Sequence, residues 1–177
     1  MAFIIFAILV PIILIITTYN KFIKYRNRMQ ETWSGIDVAL KRRFNLIPNL
    51  VKAVRMYSQH EAETLENVTH QRVGAEEPVK RTEEESVISQ SLQRLLAVAE
   101  SYPDLKASHN YLDLQKSLSE VEKEIQTARL LYNSAVRKNN VLVESFPSNL
   151  IAKIFKFKTA EYFSLELATQ RAVPDIS

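Results

Sequence analysis

Apolar and polar positions along the chain fall into distinct patterns. Phe3 to Ile16 is an almost unbroken apolar run, and no charged side chain occurs from Met1 to Asn20. With Ala2, Thr17 and Thr18 the stretch is about 17 residues, roughly 25 Å as a helix and at the short end of what crosses a bilayer. No basic region precedes it and no small-residue cleavage site follows Ile16, so it predicts an uncleaved anchor over residues 1–20. Pro11 sits mid-span, where membranes tolerate it. After the anchor, apolar residues return at helical spacing. Trp33, Leu40, Ile47 and Val54 form one seven-residue series. Phe22, Met29, Ile36, Leu50 and Tyr57 form a second, with Arg43 filling its gap. Two such series make an a/d-type seam. The seam keeps phase across Pro48, which predicts one kinked helix from the membrane to about residue 71, then a loop over 74–78.

Thr82 with Glu85 reads as a capping box, followed by Ile88, Leu92, Leu95, Leu96 and Ala99. Tyr102-Pro103-Asp104 closes that helix. Leu118, Ile125, Tyr132, Asn139 and Phe146 then repeat every seven residues, as do Leu114, Val121, Ala128, Ala135 and Leu142. This predicts a helix of about 37 residues stopped by Pro147, with a last helix from near Ser148 to about residue 172. The expected fold class is all-α: an N-terminal transmembrane helix followed by an antiparallel up-and-down four-helix bundle with long, coiled-coil-like helices. Residues 1–20 are the anchor, 21–172 the bundle and 173–177 a frayed tail. Strict alternation puts the Asn110 end of the long helix near the membrane and Phe146-Pro147 at the far end.

Composition narrows the function classes. With 2 Gly among 177 residues the composition argues against an all-β fold, and the absence of Cys removes disulfides, thiolate metal sites and a thiol nucleophile. Charge is segregated: net +7 over residues 1–60, −7 over 61–124 and +3 over 125–177. A nucleic-acid binder would carry one continuous basic face, so no nucleic-acid partner is expected. Lys21, Lys24, Arg26 and Arg28 follow the span at once. By the positive-inside rule the N-terminus lies outside and the body is cytoplasmic.

Two blocks carry a family resemblance. The first is Leu40-Lys41-Arg42-Arg43-x-Asn45-Leu46-Ile47-Pro48-Asn49-Leu50-Val51. The second runs from Ala128-Arg129 through Tyr132-Asn133, Val136 and Asn140 to Phe146-Pro147-Ser148-Asn149 and Ile151-Ala152. Together they resemble the bacterial LemA family over nearly the whole chain. Asn139 stands where the family repeats its Tyr-Asn pair, and Ser164 where it has an acidic residue. The resemblance implies a single-pass protein of the bacterial inner membrane with a cytoplasmic helical bundle, and supplies no biochemical activity. By analogy with relatives in magnetosome-forming bacteria it points to membrane organisation.

The candidate chemistry is sparse. His60 and His70 are ten residues apart, about 15 Å along a helix, too far for one metal, and no H-E-x-x-H motif is present. No metal or cofactor is therefore expected. Asp37, Lys41, Arg42, Arg43, Asn45 and Asn49 form the densest polar string, and an intrabundle network with Arg129, Asn133 and Asn139 accounts for it. Asp37 and Arg129 each flank a seam residue, which suggests an ion pair between helices. No phosphate loop, catalytic triad order or carboxylate pair accompanies these residues, so catalysis and a small-molecule substrate are not expected. Glu83-Glu84-Glu85 reads as a solvated helix start. Leu150, Ile151, Ile154, Phe155 and Phe157 alternate with Lys153, Lys156 and Lys158, which suits a fourth bundle helix with a basic outer face; contact with a membrane or partner is the other reading. Asp37, Lys41, Arg42, Arg43, Asn45, Pro48, Asn49, Arg129, Tyr132, Asn133, Asn139, Phe146 and Pro147 are the structural or interaction candidates. The expected function is a non-enzymatic membrane scaffold anchored in the lipid bilayer, with protein partners or self-association. The alternative is a regulatory subunit of a membrane signalling or proteolytic complex, or an enzyme with an unrecognised site.

Overall fold

The computed structural model describes residues 2–57 and 78–163, with side chains from Phe3 to Tyr57 and from Glu85 to Phe163. The fold is all-α, with no strand among the described residues. Helix α1 (Ala2–Arg55) is followed by α2 (Pro78–Glu100), the four-residue α3 (Pro103–Lys106), α4 (His109–Glu144) and α5 (Ser148–Phe155). The first helix is long and apolar enough to cross a membrane, and its apolar window is entirely unburied. A helix whose apolar residues face outward all round needs an apolar solvent, which the bilayer supplies.

Helix α1 runs unbroken through both Pro11 and Pro48. It ends earlier than the seam predicts. Arg55 closes it, and Tyr57 donates its N–H to the Val54 carbonyl at 3.0 Å in the following turn. Lys52 and Arg55 fill the last turn, where cations suit the helix dipole. The expected continuation over 58–71 and the loop at 74–77 lie outside the described residues. Helix α2 starts at Pro78, four residues before the expected cap at Thr82. Proline at the first helical position has its φ preset and lacks an N–H that would go unpaired there anyway, so it opens the helix ahead of Thr82. Helix α4 matches the heptad series closely, with 36 residues ending just before Pro147. The Phe146–Pro147 peptide is cis.

The last helix is a correction. It has 8 residues, not the twenty or more expected to reach residue 172. Lys156 takes the left-handed conformation at φ 58°, and Phe157 donates its N–H to the Ala152 carbonyl at 2.9 Å. That αL cap turns the chain, and residues 157–163 are non-helical.

The described residues form two compact units. One holds residues 2–36 and 127–162; the other holds 37–57, 78–126 and Phe163. In the first, Trp33 meets Tyr132 with ring centroids 5.3 Å apart, while Phe22, Ile151 and Ala152 form a buried cluster with Leu142 and Val143 packed on it. Numbers fall along α1 as they rise along α4, so the two are antiparallel there. The C-terminal end of α4 and all of α5 therefore come back to α1 at Tyr19 and Phe22, just beyond its apolar span. This overturns the expected placement of Phe146-Pro147 and the Lys-rich helix at the far end. In the second unit, Ile47, Leu50, Val51 and Val54 of α1 pack with Ile88, Leu92, Leu95 and Ala99 of α2, with Leu105, and with Tyr111 and Leu118 of α4. At roughly 1.5–3 kcal/mol for each large apolar side chain buried, this core dominates that unit's stability.

Candidate functional site

Arg43 lies on the buried side of α1, 2 % exposed, in the position that interrupts the apolar series. A guanidinium there needs a counter-charge, because stripping its water costs several kcal/mol. Glu85 of α2, itself 3 % exposed, supplies it by accepting from Arg43 Nη2. Arg43 Nη1 donates to Glu122 of α4 at 2.9 Å and to the Ser89 hydroxyl at 3.3 Å. One arginine thus ties three helices of the second unit. Glu85 is the sharpest departure from the sequence reading, which treated Glu83-Glu84-Glu85 as solvated. The missed signal was periodic: Glu85 precedes Ile88 by three residues and Leu92 by seven, so it shares their face. Next to this cluster, Arg42 Nη1 donates to Glu124 at 2.6 Å in an exposed pair.

The rest of the polar string looks outward. Asp37, Lys41, Arg42, Asn45, Pro48 and Asn49 are all exposed on α1. Asp37 belongs to the second compact unit and Arg129 to the first. In the first unit, Tyr132 is buried against Trp33 and donates its hydroxyl to the Glu161 carbonyl at 3.2 Å. Burial, and then the nearby Glu161 charge, push the Tyr132 hydroxyl above its ordinary pKa. Asn139 donates to the Lys158 carbonyl at 3.1 Å. Asn140 pairs with Ala160 in both directions, donating to its carbonyl at 2.9 Å and accepting from its N–H at 2.8 Å. Asn139 therefore holds the chain after α5, not a register between helices. Asn133 is half-buried, while Phe146 and Pro147 are exposed. His109 opens α4 exposed, and His60 and His70 lie outside the described residues.

An open cleft of about 600 Å³ runs between α1 and α4 in the first unit, lined by Lys24, Arg28, Glu31, Ser134, Ala135 and Lys138. Arg28 and Glu31 pair along the α1 side of its rim at 2.8 Å. Among the described residues no group of three His, Asp or Glu could hold a metal.

The arrangement is a buried ionic tie, an outward polar string and a clamped segment after α5, on a chain with a membrane-length helix. The sequence profile of the LemA family matches residues 32–177, which includes every one of these features except the span. The chain belongs to the LemA family. Protein LemA of Metamycoplasma hominis is 30% identical over 141 residues, covering 76% of this chain and 63% of its own. Magnetosome protein MamQ 2 of Paramagnetospirillum magneticum is 29% identical over 174 residues, covering 82% of this chain and 64% of its own. MamQ of Magnetospirillum gryphiswaldense is similar at 26%. This LemA-family chain thus spans less than two thirds of the length of these relatives.

Proposed function

We propose that this LemA-family chain is a non-enzymatic scaffold, held by residues 1–20 in the bacterial inner membrane and presenting its helical body to protein partners on the cytoplasmic side. The observation that carries this reading is the exposure of the family string. Within Leu40–Val51 only Arg43 and apolar residues turn inward, while Lys41, Arg42, Asn45, Pro48 and Asn49 stay outside. Residue types spent on a helix surface, not on a pocket wall, favour recognition by another macromolecule over chemistry on a small substrate. The word magnetosome in the names of the MamQ relatives favours membrane organisation as the process.

A photo-crosslinking residue placed at Asn45 or Asn49 in cells tests the proposal. Discrete membrane-fraction adducts are expected at both positions and not at exposed Lys116 on α4. An equal, diffuse pattern at all three would remove the α1 string as a recognition surface.

A further inference from the structure

Helix α5 is attached next to the point where α1 leaves its apolar stretch. Tyr19 is three residues beyond Ile16, about 4.5 Å along the axis. Its ring lies 4.9 Å from Phe155, edge-on, and 5.7 Å from Phe157. Phe22 is fully buried and stacks on Phe157 at 4.4 Å with 9° between planes. The αL turn at Lys156 folds Phe157 back onto this aromatic cluster and so fixes the helix.

So placed, α5 keeps a large apolar surface outside. Ser148, Ile151 and Ala152 face inward. Leu150 and Ile154, one turn apart on a single stripe, are 52 % and 70 % exposed, and Phe146 just before the helix is 80 % exposed. Lys153, Lys156 and Lys158 are exposed among them. On the same stretch of α1, Lys21, Lys24, Arg26 and Arg28 add four more cations beside the span. A short helix with an unspent apolar stripe and lysines between is the composition of an element lying in the headgroup layer. Basic residues at a membrane surface attract anionic lipid. The patch also adjoins the exposed apolar surface of the span.

We infer that α5, with Phe146, is an interfacial foot. Leu150, Ile154 and Phe146 insert at the headgroup–acyl boundary, and Lys153, Lys156 and Lys158 bind the phosphates of anionic lipids. The inference rests on α1 crossing the bilayer. The chain has no Cys, so single cysteines carrying nitroxide labels can be introduced without background. Full-length protein in nanodiscs of phosphatidylcholine, with and without phosphatidylglycerol, is labelled at Ile154→Cys, at Ile8→Cys in the span and at exposed Arg137→Cys on α4. Collision with oxygen reports lipid, and collision with a water-soluble nickel chelate reports water. The Ile154 label is expected to favour oxygen several-fold over the Arg137 label, and more so with phosphatidylglycerol. Replacing the three lysines, as K153Q/K156N/K158Q, should abolish that lipid dependence. With Ile8 deep in lipid, a water-exposed Ile154 label overturns the foot alone. A label shielded from both reagents overturns it in favour of a second protein surface. A water-exposed Ile8 label overturns the anchor itself.

Discussion

Arg43 and Arg42 are neighbours in sequence with opposite energetic meanings. Arg43 is buried with Glu85, so removing either partner strands a charge out of water. Glu85→Ala should cost about 3–5 kcal/mol. Glu124, which pairs with exposed Arg42, is still hydrated when alone, and Glu124→Gln should cost less than about 1 kcal/mol. Urea titrations of the purified protein followed by circular dichroism compare the two; equal losses would contradict the burial of the Arg43 cluster. Tyr132 makes a pH-dependent counterpart. Its hydroxyl titrates higher in the folded chain than the ordinary value near 10, because burial and then Glu161 disfavour the phenolate. Above that ordinary value the unfolded chain releases its proton first, so stability falls as pH climbs toward the native value. Tyr132→Phe should flatten part of the alkaline decline. Tyr111, also raised mainly by its burial, and Lys106, raised first by its hydrogen bond to Glu100, contribute to what remains. An unchanged slope would remove Tyr132 from that titration.

Beyond its apolar span, α1 carries two residues that ordinarily weaken a helix. Pro48 removes a hydrogen bond and crowds the preceding turn, at a cost of roughly 3 kcal/mol in a helix interior. Gly35 costs about 0.5–1 kcal/mol relative to alanine, and a methyl group there would meet nothing within 4 Å. Both positions are exposed within α1. Pro48→Ala and Gly35→Ala should therefore each raise the melting temperature, Pro48→Ala by more. A drop for Pro48→Ala would mean that packing requires the proline itself. The seam across Pro48 was legible because Ile47 and Val54 continue the Trp33 series, and the 36 residues of α4 follow directly from five heptads. The start of α2 and the end of α5 were not legible, whereas the stop before Tyr102-Pro103 and the start at Ser148 were. Proline's aptitude for opening a helix outweighed the capping box at Thr82. At Lys156 a non-glycine residue takes an αL cap, which no residue preference announces. The Arg43 cluster was half legible: its position in the seam demanded a buried acid, but three consecutive glutamates hid which one.

Across the whole chain, the distribution of charge predicts an orientation in the membrane. Four cations follow the span within ten residues of its end, and no charged side chain occurs from Met1 to Asn20. Moving lysine and arginine across a bilayer during insertion is disfavoured, so the body should stay on the cytoplasmic side. Lys153, Lys156 and Lys158 reinforce this, because α5 packs onto Tyr19 and Phe22 on that same side of the span. With α1 crossing the bilayer as proposed, seven cations would bear on one face of the membrane. A cysteine introduced at exposed Arg137 should react with a membrane-impermeant maleimide only after spheroplasts are permeabilised. A periplasmically active phosphatase fused after Ser177 should stay silent, while a fluorescent protein fused there should shine. Replacing Lys21, Lys24, Arg26 and Arg28 with glutamine and placing two lysines after Met1 should shift part of the population to the opposite orientation. Arg137→Cys labelling of intact spheroplasts by the wild-type sequence background would refute the positive-inside assignment. Persistence of the cytoplasmic orientation in the charge-swapped variant would transfer the topological signal to the lysines of α5.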